Sequence, residues 1–178
     1  SLNFKKNIFF IYKIYKLYKL VKEIKPHILK GWMYHSILLT SIIGKILKVS
    51  NIYWNIRHTE LVYFKSSIIT IFIAKILAYI SHNIPNRIIY CSEESKNFHN
   101  KFGFSNKNST IIYNGVDINL YKYSKTKRNA VRKKFNIPDD FFIIGMFANY
   151  RLQKNHKLFL DSLRIFKNHD FPFKVLMA

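Results

Sequence analysis

The 178 residues are 49% hydrophobic, and 30 Lys and Arg stand against 9 Asp and Glu, giving a formal charge of +21. That apolar content excludes a disordered chain, and the single cysteine, Cys91, excludes an internal disulfide or a cysteine-based zinc site. Two explanations of the charge stay open: an anionic partner, or the Lys-, Asn- and Ile-rich usage of an AT-rich genome, since only six of the basic residues are Arg.

Residues 4–25 read as a helix, with Ile8, Ile11, Tyr12 and Tyr15 at helical spacing. Lys13, Lys16, Lys19 and Lys22 recur every three residues and so wind around that helix, as on a solvated basic surface; a membrane-facing helix would keep its basic residues on one side. Pro26 ends it, and "HILKG" (27–31) follows as a short strand. The spacing of Leu39, Ile42, Ile43 and Ile46 predicts a helix over 35–48, and "NIYWNIR" (51–57) a strand. Residues 66–81 form the next helix, with a stripe of Ile69, Phe72, Ile73, Ile76 and Ile80. Its apolar run is about 13 residues and carries Lys75, too short to span a bilayer. "RIIYC" (87–91) is a strand, Ser92 the N-cap of a helix, and Gly103 that helix's left-handed C-terminal residue. "STIIY" (109–113) is a strand, leading into the turn "NGVD".

This alternation predicts an α/β fold, a parallel sheet covered on both faces. Ligands of such sheets sit at the carboxyl ends of strands. The candidates are therefore 32–35, including His35; 57–60, with Arg57, His58 and Glu60; 92–94, opening at Ser92; and 114–117, with Asn114, Gly115 and Asp117. The first domain is expected to span 1–120. Residues 121–138, rich in Lys, Arg, Tyr and Asn, read as a connector. A second unit then opens over 139–178, with a fully apolar strand near 141–148, a helix carrying Phe159, Leu163 and Phe166, and a further strand in "FPFKVLMA".

No GxGxxG, GxxxxGK[ST], DxD or HExxH pattern occurs, so the usual dinucleotide, P-loop and metal signatures are missing. In "YNGVD" the Asn-Gly pair calls for a tight turn at positive φ, and Asp117 either closes the backbone or reaches a ligand. In "IRHTE" a cation, an imidazole and a carboxylate converge at a strand end, which is a site signature or a surface coincidence. In "FANYRLQKNH" a helix starting near Gln153 would add its positive dipole end to Arg151 and Lys154, with Asn149 beside them. That arrangement suits a diphosphate, or is a wet basic loop.

Three blocks in order carry a resemblance: "GWMYHSILLTSIIGKIL…IYWNIRHTEL", "IIYCSEESKNFHNKFGFSNKNSTIIYNGVDINLY" and "IGMFANYRLQKNHKLFLDSL". Together they resemble the family 4 retaining glycosyltransferases of the polysaccharide-assembly type, over residues 26–178. The resemblance implies the GT-B fold, two Rossmann-like parallel-sheet domains, with the second present here only as its first βαβ. It implies transfer of a sugar from a nucleoside-diphosphate sugar to a glycan or lipid-linked acceptor in bacterial surface polysaccharide synthesis, with no metal and no other cofactor. Carried over by motif, Lys154 contacts the donor diphosphate. Asn149 stands where the family has Arg, and Arg151 substitutes for it. Arg57 or His58 matches the family's first-domain His. The glycine-rich loop and the E-x7-E pair of the family have no counterpart in these residues. Ser1 in place of Met and an end inside an apolar run agree in pointing to a segment of a longer protein, inactive alone. The expected setting is the cytoplasm, with peripheral contact at the inner face of an anionic membrane and no nucleic acid. The rival expectation is a non-enzymatic basic protein binding anionic membrane or nucleic acid.

Overall fold

The computed structural model describes residues 10–59, 61, 67–166 and 171–178. The predicted Ile8 and Glu60, and the start of the 66–81 helix, lie outside the described residues. The chain divides into two compact units, 1–115 and 116–178.

The first unit runs α1 (Phe10–Ile24), β1 (Ile28–Trp32), α2 (Met33–Ile46), β2 (Asn51–Ile56), α3 (Ile68–Ile80), β3 (Arg87–Tyr90), α4 (Glu93–Phe102) and β4 (Ser109–Ile111). The four strands are parallel, in the order β1-β2-β3-β4. Consecutive parallel strands joined by right-handed crossovers put every intervening helix on one side. The core lies there: Ile52, Trp54 and Ile56 of β2 and Ile88 and Tyr90 of β3 pack with Tyr34, Ile37, Ala74 and Leu77. The expectation of cover on both faces is corrected at β1 only, since Asn55 of β2 and Ile89 of β3, which alternate with the core residues, are buried on the other face. Among the described residues the opposite face of β1 is open, with Ile28, Lys30 and Trp32 exposed.

The helices turn stripes to the sheet that agree only in part with apolar spacing: Ile43 is buried and Ile73 and Ile80 pack against the core as expected. In α2 the buried residues are Tyr34, Ile37, Thr40, Ser41, Ile43 and Gly44, whereas Ile42 and Ile46 face out. In α3 they are Ile71, Ala74, Leu77 and Ala78, with Ile69 and Phe72 exposed. In α2 close approach takes part in the choice. A Cβ on Gly31 would lie 2.4 Å from Thr40 Oγ1 and 2.6 Å from Ile37 Cα, and one on Gly44 2.8 Å from Ile52 Cδ1. At these two contacts of α2 only glycine fits, because helix and sheet nearly touch there. Trp54 then donates its indole N–H to Ser41 Oγ at 2.9 Å. In α1 likewise Ile11, Tyr12 and Tyr15 are exposed and Val21 is buried. Ser92 caps α4 as predicted, accepting from Ser95 N–H at 3.1 Å, and Gly103 closes it at φ 110°.

The second unit runs α5 (Lys125–Lys134), β5 (Phe142–Met146), a 3-10 turn (Leu152–Lys154), α6 (His156–Phe166) and β6 (Phe173–Met177). β5 and β6 are parallel. Phe159, Leu163 and Phe166 are the half-buried stripe of α6, and Phe166 meets Phe171 and Phe173 edge-on at 5.0 and 5.4 Å. The segment read as a connector carries α5, capped by Ser124. Arg132 pins that helix by donating to the carbonyls of Pro138 and Phe141. Among the described residues no helix is long and apolar enough to cross a membrane.

Candidate functional site

In the first unit the residues after β1, β2, β3 and β4 gather at one end of the sheet, because parallel strands end on the same side. Arg57 leaves β2 on the open face. Its backbone N–H points at Met33 Sδ, 3.4 Å away. Its guanidinium lies 5.1 Å from the centroid of the Trp32 ring, and Nη1 donates to Ile112 O at 3.2 Å and Asn114 Oδ1 at 2.7 Å. The structure thus brings Arg57 and Asn114 together across the end of β3. Met33 takes a positive φ of 66°, which a side chain on Cβ resists, and this bend turns the chain from β1 into α2.

His58 is exposed, with its ring stacked at 6.2 Å on Tyr34 and its carbonyl accepting from Ser95 Oγ at 2.5 Å. Tyr34 is buried and meets His99 Nε2 at 2.7 Å, while His99 Nδ1 lies 2.6 Å from Ser95 O. A carbonyl only accepts, so Nδ1 carries the proton and Nε2 accepts from the Tyr34 hydroxyl. Burial pushes the His99 pKa down to about 4, opposed by the Ser95 carbonyl and aided by the nearby His58. Burial raises the Tyr34 and Tyr90 hydroxyls well above the usual phenol range. Tyr34 lies within the 32–35 candidates of the sequence, but sequence reading missed its partners Ser95 and His99. The signal available was the i, i+4 pair of Ser95 and His99 beside Phe98 and Phe102, an apolar stripe of α4 with two polar residues set into it.

The other predicted residues fall as follows. His35 is exposed on the first turn of α2. Ser92 uses its hydroxyl oxygen as the α4 cap. The expected positive-φ turn at Asn114-Gly115 is corrected: neither residue has a positive φ. Asn114 instead turns its side chain to Arg57. The turn comes after it, where Asp117 Oδ1 accepts from Asn119 and Leu120 N–H at 2.9 and 3.0 Å. Asp117 therefore closes the backbone.

In the second unit the stretch after β5 is also corrected. The helix starts at His156, so Lys154 lies before it in the 3-10 turn, and Arg151 is extended ahead of that turn. Asn155 breaks the two helices apart at φ 51°. Its side-chain oxygen takes the Leu158 N–H at 3.3 Å, so an Asn at a left-handed position delays the helix. Asn149, Arg151 and Lys154 are all exposed. His156 Nε2 reaches Ala148 O at 3.3 Å and its ring lies 5.0 Å from Tyr150, tying the loop to α6.

A family model for glycosyltransferase family 4 matches residues 2–120. Among solved structures, the chain is similar to HepE from Anabaena in complex with UDP-glucose, at 17% identity and a TM-score of 0.76, over 93% of this chain and 42% of that one. A glycosyltransferase from Rickettsia africae aligns at 17% identity and 0.67, over 99% and 45%. UDP-N-acetylglucosamine 2-epimerase from Rickettsia bellii aligns at 14% and 0.51, over 100% and 46%. No curated protein matches. The chain spans less than half the length of these structures, and at such identities they establish the fold, GT-B. The chain belongs to glycosyltransferase family 4.

Proposed function

We propose that this family 4 chain is a segment of a transferase that moves a sugar from a nucleoside-diphosphate sugar to a glycan or lipid-linked acceptor in bacterial surface polysaccharide synthesis. The observation that carries the reading is the end of β2. There two consecutive residues, a cation held by Asn114 and an imidazole stacked on Tyr34, follow β2 at the carboxyl edge of the parallel sheet of a family 4 chain. In support, HepE was crystallised with UDP-glucose, with UDP, and with UDP and glucose.

In this reading Arg57 or His58 serves the reacting centre. Arg151 and Lys154, with Asn149, neutralise the donor diphosphate through charge-assisted hydrogen bonds, each about 1.5–3 kcal/mol. The reaction retains configuration and uses no metal. No two glutamates of the chain stand eight positions apart, so the family's E-x7-E pair has no candidate here and the chain alone is inactive. The protein works in the cytoplasm, docked at the inner face of the membrane through α1. At about 100° per residue, Ile11, Tyr12, Tyr15, Lys16, Lys19 and Lys22 fall within an arc of roughly 140°. All six are exposed, as is Glu23 within the same arc; Lys13 alone of the four spaced lysines falls outside it, and the face is mainly aromatic and basic, suited to anionic headgroups.

The test is transfer by the full-length protein. It should form product from a UDP-sugar, and His58→Gln and Arg57→Ala should each lower the rate at least tenfold. Full activity in both variants would overturn the assignment of the β2 end.

A further inference from the structure

The contacts around His58 form a closed circuit that its own position does not require. Its ring rests on Tyr34, the Tyr34 hydroxyl bonds His99, the His99 ring bonds the carbonyl of Ser95, and the Ser95 hydroxyl returns to the carbonyl of His58. Tyr34 belongs to α2, and Ser95 and His99 to α4, so the circuit joins two helices behind the strand end. His99 and Ser95 have no exposed surface and Tyr34 has 2%. The walls around His99 are aromatic: Tyr90, Phe98 and Phe104 lie at ring distances of 5.4, 5.3 and 5.1 Å.

We infer that Tyr34, Ser95 and His99 are positioning residues that fix both the backbone and the ring plane of His58. An exposed imidazole otherwise samples several rotamers, and holding one costs rotamer entropy each time a ligand needs it. Here the cost is met on folding. The tautomer of His99 is set by a carbonyl, and its depressed pKa keeps it neutral over the range in which an ordinary histidine changes charge, so the bracket holds one geometry there. The inference rests on the reading of His58 as part of the site, and it names what prepares that residue.

NMR of the 178-residue chain with 13C-labelled histidine tests it, His58→Gln supplying the assignment. The stacked Tyr34 ring should shift the His58 ring protons upfield. Tyr34→Leu should abolish that shift. Tyr34→Phe and Ser95→Ala should each reduce it while far-UV circular dichroism stays unchanged. Ser41→Ala, which loses the Trp54 bond between α2 and the sheet, should lower stability and leave the His58 shift in place. If Tyr34→Leu fails to fold, Ser95→Ala decides. His58 signals at free-histidine positions in the unmodified chain, or equal loss in Ser41→Ala and Ser95→Ala, would overturn the inference. Since no transfer is measured, that failure is separate from failure of the functional reading, which would show as undiminished transfer by His58→Gln in the full-length protein.

Discussion

Arg57 Nη1 donates to Asn114 Oδ1 at 2.7 Å, linking the residue after β2 to one beyond β4. The same guanidinium covers the Trp32 ring. Arg57 is half-buried, so the bond and the cation–π contact are each worth about 0.5–1.5 kcal/mol. Arg57→Ala should therefore destabilise the first unit by about 1–2 kcal/mol in urea unfolding. Asn114→Ala should cost about 1 kcal/mol. The double variant should cost less than the sum, since the two share one bond. Additive effects would show that the pair is not coupled.

The burial of His99 makes a pH prediction with a definite sign. Its folded pKa, about 4, lies below the ordinary 6.5, so the unfolded chain binds the extra proton first. Stability from this group is complete above about pH 6.5 and is lost as pH falls toward 4. The full loss is about 3 kcal/mol by the conversion of pKa shift to free energy. His99→Gln should flatten that part of the stability–pH curve. An unchanged slope between pH 6.5 and 4 in His99→Gln would contradict the account.

Gly31 sits where β1 meets α2. Gly31→Ala drives a Cβ into backbone at Ile37 as well as the Thr40 hydroxyl, so backbone and not only a side chain has to shift. It should cost at least about 3 kcal/mol or prevent folding. Gly115→Ala, whose Cβ would meet nothing within 4 Å, should stay within about 0.5 kcal/mol of the parent. Thermal unfolding of the two variants compares them directly.

Gly31 also shows what the sequence made legible. Strand and helix order was readable because apolar runs and polar breaks alternate at the right lengths, and the Ser92 cap and Gly103 end were readable because they are local. Helix faces were not. Apolar residues occur on every side of α2 and α3, so periodicity could not choose, and in α2 close approach at Gly31 and Gly44 took part in the choice. The start of α6 was misplaced because Asn155 was read as part of a helix, whereas it stands at positive φ. At the candidate site, Arg57 and His58 were legible as residues at a strand end. Tyr34 was legible only as one of the residues after β1, and Ser95 and His99 were not, since what joins the three is distance across helices.

For α1, vesicle sedimentation separates a membrane face from a merely solvated one. The chain should bind vesicles with anionic lipid at low salt and release at high salt, with each Lys contributing about 1 kcal/mol. Replacing Lys16, Lys19 and Lys22 by Gln should weaken binding by at least tenfold. Equal binding to neutral and anionic vesicles, or none to either, would remove the proposal.

Donor recognition by the loop after β5 is the central claim, and calorimetry on the full-length protein tests it most directly. Lys154→Ala should weaken UDP binding about ten- to a hundredfold, as expected for one charge-assisted hydrogen bond, and leave uridine affinity nearly unchanged. Arg164→Ala is the control: it removes the same charge from the last turn of α6, where Arg164 is exposed beside Asp161. It should leave both affinities as they were. If Arg164→Ala weakens UDP binding as much as Lys154→Ala does, the loop is one part of a diffuse basic surface and the donor-site assignment is wrong.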